Sequence, residues 1–169
     1  MKVRLLDGAV ILMKALSLWQ PWAWLLVHGH EHENGKRIEN RAWTTTNVGC
    51  WVLIHASKYP GLASTQSGMS KNLQRQMFLS VRACEHAGLP LEHLPTLSRL
   101  RFGGIVGAVY ISQCVEASDS PWFAGPYGLE TGDAFPVPFS PTPGRQRWWN
   151  VINNDLETDT LRELARRTE

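Results

Sequence analysis

The sequence predicts an α+β domain in which a mixed β-sheet curls toward a barrel and carries flanking helices. Three observations lead there. Roughly five or six strand-like runs stand against two or three helical ones, interspersed too unevenly for a doubly wound sheet. Hydrophobic residues make up 43% of the chain and charged ones 19%, a balance that supports a core and excludes a disordered chain. At 169 residues the length suits one domain.

The elements follow from periodicity and breakers. Ala15 to Trp19 reads as a short strand with Leu16 and Leu18 on one face, broken by Gln20-Pro21. Proline suits a first helical turn, and Trp22, Leu25 and Leu26 follow at helical spacing before Gly29. His30 to Gly35 is polar and reads as a loop, after which Arg37 to Arg41 forms a short strand with Glu39 and Arg41 on one face. Cys50 to Ser57 is the strongest strand, rich in branched and aromatic residues, and belongs near the centre of the sheet. A loop over Gly61 to Gly68 precedes the one long helix. Ser70 caps that helix, Leu73, Met77, Val81 and Cys84 form its apolar stripe, and Gly88 with Pro90 ends it.

Leu91 to Leu100 holds only short turns between its prolines. Gly104 to Cys114 alternates as a second core strand, with Ile105, Val109 and Ile111 expected on one side. Ser118 to Gly128 is a loop that carries three aromatic rings. Pro136 and Pro138 confine Phe135 to Phe139 to an edge strand, and Trp148 to Ile152 closes the set. Thr160 to Arg167 is a final short helix that packs Leu161 and Leu164.

Charge and composition narrow the function. Lys+Arg is 17 and Asp+Glu is 15, a formal net charge of +2, so neither an acidic tail protein nor a histone-like polycation is expected. No run is long and apolar enough for a membrane span or a signal peptide, so the expected location is the cytoplasm, and Met13 stands open as an alternative start. Cys50, Cys84 and Cys114 form no Cys-x-x-Cys pair and read as reduced thiols. Nucleotide-cofactor and serine-hydrolase readings lack their motifs: there is no Gly-x-Gly-x-x-Gly after a strand, no Walker lysine, no His-Glu-x-x-His and no Gly-x-Ser-x-Gly. Trp is 8 against Phe 5 and Tyr 3. An indole needs a partner for its N–H when buried, so several of these rings are expected at half-exposed sites where they can stack on flat ligands.

Two constellations remain. His28, His30 and His32 alternate, so their imidazoles could point one way and hold a metal, or simply lie in a solvated loop. Lys36, Glu39 and Arg41 combine a mobile point charge, a carboxylate and a planar fork suited to phosphate, against the plainer reading of an Arg–Glu pair on a sheet face. Trp19, Trp22 and Trp122 could form stacking platforms around that cluster, with core packing as the plainer role of Trp22. His55, inside the strongest strand, is either a satisfied core histidine or a cleft residue.

The segments Trp19-Gln20-Pro21-Trp22, Gly35 to Trp43 and Ile54 to Lys58 resemble the ASCH (activating signal cointegrator homology) domain of the PUA-like superfamily. The likeness extends through Gly104 to Val115, Ser120 to Phe123 and Trp148 to Val151. It therefore covers 14–152, with an extension over 1–13 and a tail bearing a short helix over 153–169. The resemblance implies a PUA-like mixed barrel with a helix-lined cleft, in a superfamily associated with RNA binding and modification. Its signature, Gly-x-Lys-x-x-Glu-x-Arg, is matched by Lys36, Glu39 and Arg41, whereas position 34 is Asn and His30 to Asn34 look like extra residues.

The leading expectation is therefore a binder of RNA or single-stranded nucleic acid through Trp19, Gln20, Trp22, Arg41, His55, Lys58 and Trp122. Cations clustered at Lys36, Arg37, Arg41, Lys58, Arg145 and Arg147 would compensate for the modest net charge. The first alternative is a hydrolase acting on RNA or a modified nucleoside, with Lys36 and Glu39 as acid and base. In the nucleoside-amidohydrolase branch of the family a threonine joins the lysine and glutamate, and here the threonine position is Glu39. The second alternative is a non-catalytic adaptor that docks a protein through the Trp122-Phe123 loop. No cofactor is implied, and a divalent metal is left open.

Overall fold

The computed structural model describes residues 12–58, 70–152, 156 and 158–168. The expected extension up to residue 11 and the expected loop over 61–68 lie outside the described residues. Six strands, β1 (Leu12–Leu18), β2 (Ile38–Arg41), β3 (Cys50–Ala56), β4 (Gly104–Val115), β5 (Tyr127–Pro141) and β6 (Trp148–Ile152), combine with helices α1 (Trp22–Val27), α2 (Lys71–Ala87) and α3 (Thr158–Arg166). The protein is α+β, with a mixed sheet and flanking helices.

The strand order is β2-β5-β4-β3-β1-β6, and the pairing of β1 with β3 is parallel while the other neighbours are antiparallel. β3 is an interior strand, as its composition predicts. Both its faces are apolar, because Trp51 and Leu53 enter one cluster and Val52, Ile54 and Ala56 the other. The period of two assigns alternate residues to opposite layers. α3 covers the first layer with Leu164, and α1 covers the second with Ala23, Leu26 and Val27.

The expected barrel does not close by strand pairing, since β2 and β6 are the two ends of the hydrogen-bonded order. Side chains nevertheless bridge the ends. Arg41 on β2 donates from Nη2 to the Ser17 carbonyl of β1 at 3.4 Å, and Trp43, just beyond β2, meets Trp148 of β6 edge to face at 5.8 Å. The sheet is curled but open.

Local irregularity accounts for two departures from the sequence reading. Ile105 and Val109 lie on opposite faces, because the pairing of β3 with β4 passes from Ile54↔Gly107 to His55↔Ile105. That register leaves Val106 as an extra residue, and one extra residue reverses the alternation. β5 is also far longer than the edge strand expected over Phe135 to Phe139. β2 pairs only with Tyr127–Glu130, so the proline-bearing half of β5 remains an edge.

The long helix starts where Ser70 Oγ accepts from the Leu73 N–H and ends at Gly88, which sits at φ 71°. Its buried line is Leu73, Ser80, Cys84 and Ala87, with Met77 and Val81 half-buried. Ser80 is tolerated there because its hydroxyl donates to the Met77 carbonyl at 2.7 Å. Burial pushes the Cys84 thiol up to about 11, so it stays protonated in the core.

The segment between α1 and β2 folds back on itself. Gly29–Glu31 forms a single 3₁₀ turn, and a methyl group placed on Gly29 would fall 1.8 Å from the Lys36 carbonyl oxygen. One on Gly35 would fall 2.0 Å from the Gly29 carbonyl oxygen. The two glycines therefore let one backbone lie directly on the other, which draws the His30 to Asn34 loop closed and delivers Lys36 to the start of β2. Gly29→Ala is expected to destabilise the protein by about 1–3 kcal/mol, the cost of overpacking against backbone that cannot yield. Chemical denaturation of the variant beside the parent measures it.

Candidate functional site: a cationic cleft at one end of the sheet

The parallel pairing of β1 with β3 sets Leu18 beside Ala56. Both strands therefore end together and release Trp19 on one side and Ser57-Lys58 on the other, joined by the Ser57 N–H to Leu18 carbonyl bond at 2.8 Å. β2 brings Glu39 and Arg41 to the same place, and the Pro143 to Arg147 turn before β6 completes the rim. The result is a cleft of about 910 Å³. Arg41, Lys58, Arg145 and Arg147 line it, and Glu39 is the acidic residue among the lining side chains.

Glu39 is held on both sides. Its Oε2 lies 3.0 Å from Lys36 Nζ and its Oε1 lies 3.2 Å from Arg41 Nη2. Lys36 is only 2% exposed, and its ammonium also donates to the Ile38 carbonyl. It does not line the cleft, while Glu39 and Arg41 do. Lys36 thus fixes Glu39 from beneath, and Glu39 fixes Arg41. The Arg41 guanidinium lies over the Trp43 ring at 5.7 Å, and its Nε has no protein hydrogen-bond partner among the described residues.

The other expected site residues divide sharply. Trp19 is 49% exposed and borders the cleft, as does Trp22, whose indole N–H donates to Gln76 Oε1 of α2 at 2.7 Å. Gln20 is buried away from the cleft: its amide donates to the Arg101 carbonyl and accepts from the Trp24 N–H. Trp122 is 6% exposed and packs with Leu25, Ile38 and Cys84, its indole donating to the Asn34 carbonyl at 3.0 Å. Its ring therefore braces α1 and α2.

His55 is buried beneath the cleft floor. Its Nε2 donates to the Thr142 carbonyl at 2.9 Å, its Nδ1 lies 3.1 Å from Ser17 Oγ, and its ring meets Trp149 edge to face. Burial lowers its proton affinity, partly offset by the bond to Thr142. His28, His30 and His32 diverge rather than converge. His28 pairs with Glu31 at 2.6 Å, His30 Nε2 bonds Thr131 Oγ1 at 3.0 Å, and His32 stacks on His93. Among the described residues no group of three or more His, Cys, Asp or Glu is arranged to hold a metal.

Trp43, Ser17, Gln76 and Gln146 are cleft residues that the sequence reading did not assign to the site. The Trp43 position follows Arg41 by two, the alternation that keeps it on the same face beyond β2. Gln76 had no such signal, because α2 reaches the cleft only through tertiary packing. Arg147 adopts φ 56°, in the left-handed region that non-glycine residues rarely occupy. Such outliers persist where surrounding structure holds them, often at binding sites.

Together these features define an α+β protein with a tryptophan-bordered, cationic cleft at one end of a curled sheet. No protein-family model matches the chain, and the search of curated proteins finds no match. Among the described residues no helix is long and apolar enough to cross a membrane.

Two outcomes follow from this geometry. Glu39→Gln should cost about 3–5 kcal/mol, because it strands the buried Lys36 ammonium, whereas Lys36→Met should cost far less by removing the charge itself. Urea denaturation of both variants tests the difference. Acid should also weaken the fold. His55 is held neutral below its ordinary value of 6.5 by burial, and His30 is lowered by burial and by Arg37. Both take up protons more readily in the unfolded chain, so their contribution is complete above about pH 6.5 and is lost as pH falls. A melting temperature that drops from pH 7 to pH 5, and drops less in His55→Gln, is the expected result.

Proposed function

We propose that the protein is an ASCH-type, PUA-like module that binds RNA or another single-stranded nucleic acid in this cleft. One observation carries the reading: the exposed Trp19 ring borders the same cleft as Arg41, Lys58, Arg145 and Arg147. Cations along a groove neutralise phosphates, and an exposed indole offers a face on which any base can stack. The curl of the sheet, with its ends bridged by Arg41 and Trp43, supports the PUA-like assignment. So does the chain of contacts linking Lys36, Glu39 and Arg41, the residues that match the ASCH signature.

The roles divide among the side chains. Arg145, Arg147 and Lys58 are exposed and contact phosphate. Arg41, pinned by Glu39 and by the Ser17 carbonyl, offers a preorganised fork for a phosphate or a base carbonyl. Trp19 stacks. The hydrolase reading draws less from the geometry, because Lys36 faces the interior and does not line the cleft.

The test is titration of labelled single-stranded RNA, single-stranded DNA and duplex against the purified protein, with and without divalent metal, read for both complex formation and strand scission. Saturable binding of the single strand without scission is expected. Failure of every single strand to bind overturns the reading. Trp19→Ala should weaken binding by about 1–3 kcal/mol with little change in melting temperature. Arg145→Ala with Arg147→Ala should lower the slope of log affinity against log salt by roughly one for each phosphate no longer neutralised.

A further inference from the structure

The turn that carries Arg145 and Arg147 rests on a small polar network beneath the cleft. Ser17 Oγ lies 2.9 Å from the Arg145 carbonyl oxygen, 3.1 Å from His55 Nδ1 and 3.2 Å from Trp149 Nε1. A methyl group on Gly144 would fall 2.2 Å from His55 Cε1, so the turn lies directly on the imidazole. The donors and acceptors can be assigned by elimination. The Trp149 N–H can only donate, and the Arg145 and Thr142 carbonyls can only accept. Because Nε2 faces the Thr142 carbonyl, it carries a hydrogen in every satisfied arrangement.

One shortage follows. When His55 is neutral, Nδ1 is a bare acceptor, and the single Ser17 hydroxyl hydrogen is claimed by both Nδ1 and the Arg145 carbonyl. One acceptor then lacks a protein donor, and the exposed Arg145 carbonyl is the one that solvent can serve, which leaves the turn unfastened. When His55 is protonated, Nδ1–H donates to Ser17 Oγ, the Ser17 O–H donates to the Arg145 carbonyl, and Oγ accepts from both Trp149 and His55. Every group is then satisfied. Opposing this is the cost of a charge on a ring only 2% exposed. Two charged residues meet the network: Arg145, through its backbone, and Arg41, whose guanidinium donates to the Ser17 carbonyl at 3.4 Å and, already paired with Glu39, adds to the cost of a second positive charge nearby.

We infer that His55 and Ser17 couple proton uptake to anion binding in the cleft, with protonated His55 fastening the arginine turn over a bound phosphodiester. The inference rests on the proposed nucleic-acid reading and adds regulation to that site. A polyanion against Arg145 and Arg147 lowers the energy of a positive charge just beneath them, offsetting the burial of the imidazolium. The turn and the ring then favour the same state. Binding thereby draws a proton from solvent, and affinity rises as pH falls through and below the ordinary histidine range. His55 acts here as a positioning residue.

The experiment uses a short oligouridylate without terminal phosphates, because neither uracil nor a phosphodiester titrates between pH 5 and 8. Its affinity for the full chain is measured across that range, and isothermal titration calorimetry near pH 6 in buffers of different ionisation enthalpy counts the protons taken up. The expected result is a rise in affinity on acidification, up to about tenfold per pH unit for one proton, with net proton uptake on binding. His55→Gln, whose amide can still donate to Thr142 and accept from Ser17, should bind at pH 8 within a few-fold of the parent and lose the rise. Ser17→Ala should lose it as well. Binding that is intact but independent of pH, without proton uptake, overturns the coupling and leaves the nucleic-acid reading standing. An undiminished rise in folded His55→Gln does the same. No binding of the oligouridylate at any pH overturns both.

Discussion

A buried ammonium has to be paired, and the Lys36 ammonium orders the whole cleft. Its charge sits at 2% exposure, so it requires a carboxylate, and Glu39 on β2 is the carboxylate within reach. With one oxygen so held, Glu39 turns the other to Arg41, and Arg41 reaches across to the carbonyl of Ser17 on β1. β1 and β2 are not neighbours in the sheet, yet this run of contacts ties them together. From Ser17 the same connectivity continues to His55, Trp149 and the arginine turn.

The consequence is a cleft whose deep wall is cross-linked by these contacts and whose rim is polar and exposed. Arg41 is held by two partners, while Lys58, Arg145 and Arg147 stand exposed at the rim. Preorganisation at depth reduces the ordering cost of binding. The left-handed backbone of Arg147 is part of the same arrangement, since a turn built for local stability alone would place glycine there. Such a combination is what the proposed binding of a single-stranded nucleic acid calls for.

The tryptophans show how one residue type serves opposite ends. Trp122 and Trp149 are buried and find acceptors for their indole N–H groups, Asn34 carbonyl for one and Ser17 Oγ for the other. Trp19 has no such burial and stands at the rim. Composition predicts that some rings would be half-exposed, but exposure is a property of the neighbours and not of the ring.

What the sequence by itself determined was local. Periodicity and breakers placed β3, α2 with its Ser70 cap and Gly88 stop, and the Glu39–Arg41 face of β2, because each rests on residues within a turn or a strand of one another. It also singled out Trp19, Lys58, Arg145 and Arg147 as candidate ligand contacts, from the abundance of tryptophan and the clustering of cations, and all four line the cleft. The tertiary structure alone decided that the sheet stays open by pairing and that Val106 reverses the alternation of β4. It alone sent Gln20 and Trp122 to the interior and set His55 under the arginine turn. Those outcomes depend on contacts between residues far apart in the chain, such as Arg41 with Ser17 and Trp122 with Asn34. A burial decided by a distant partner leaves no trace in local pattern.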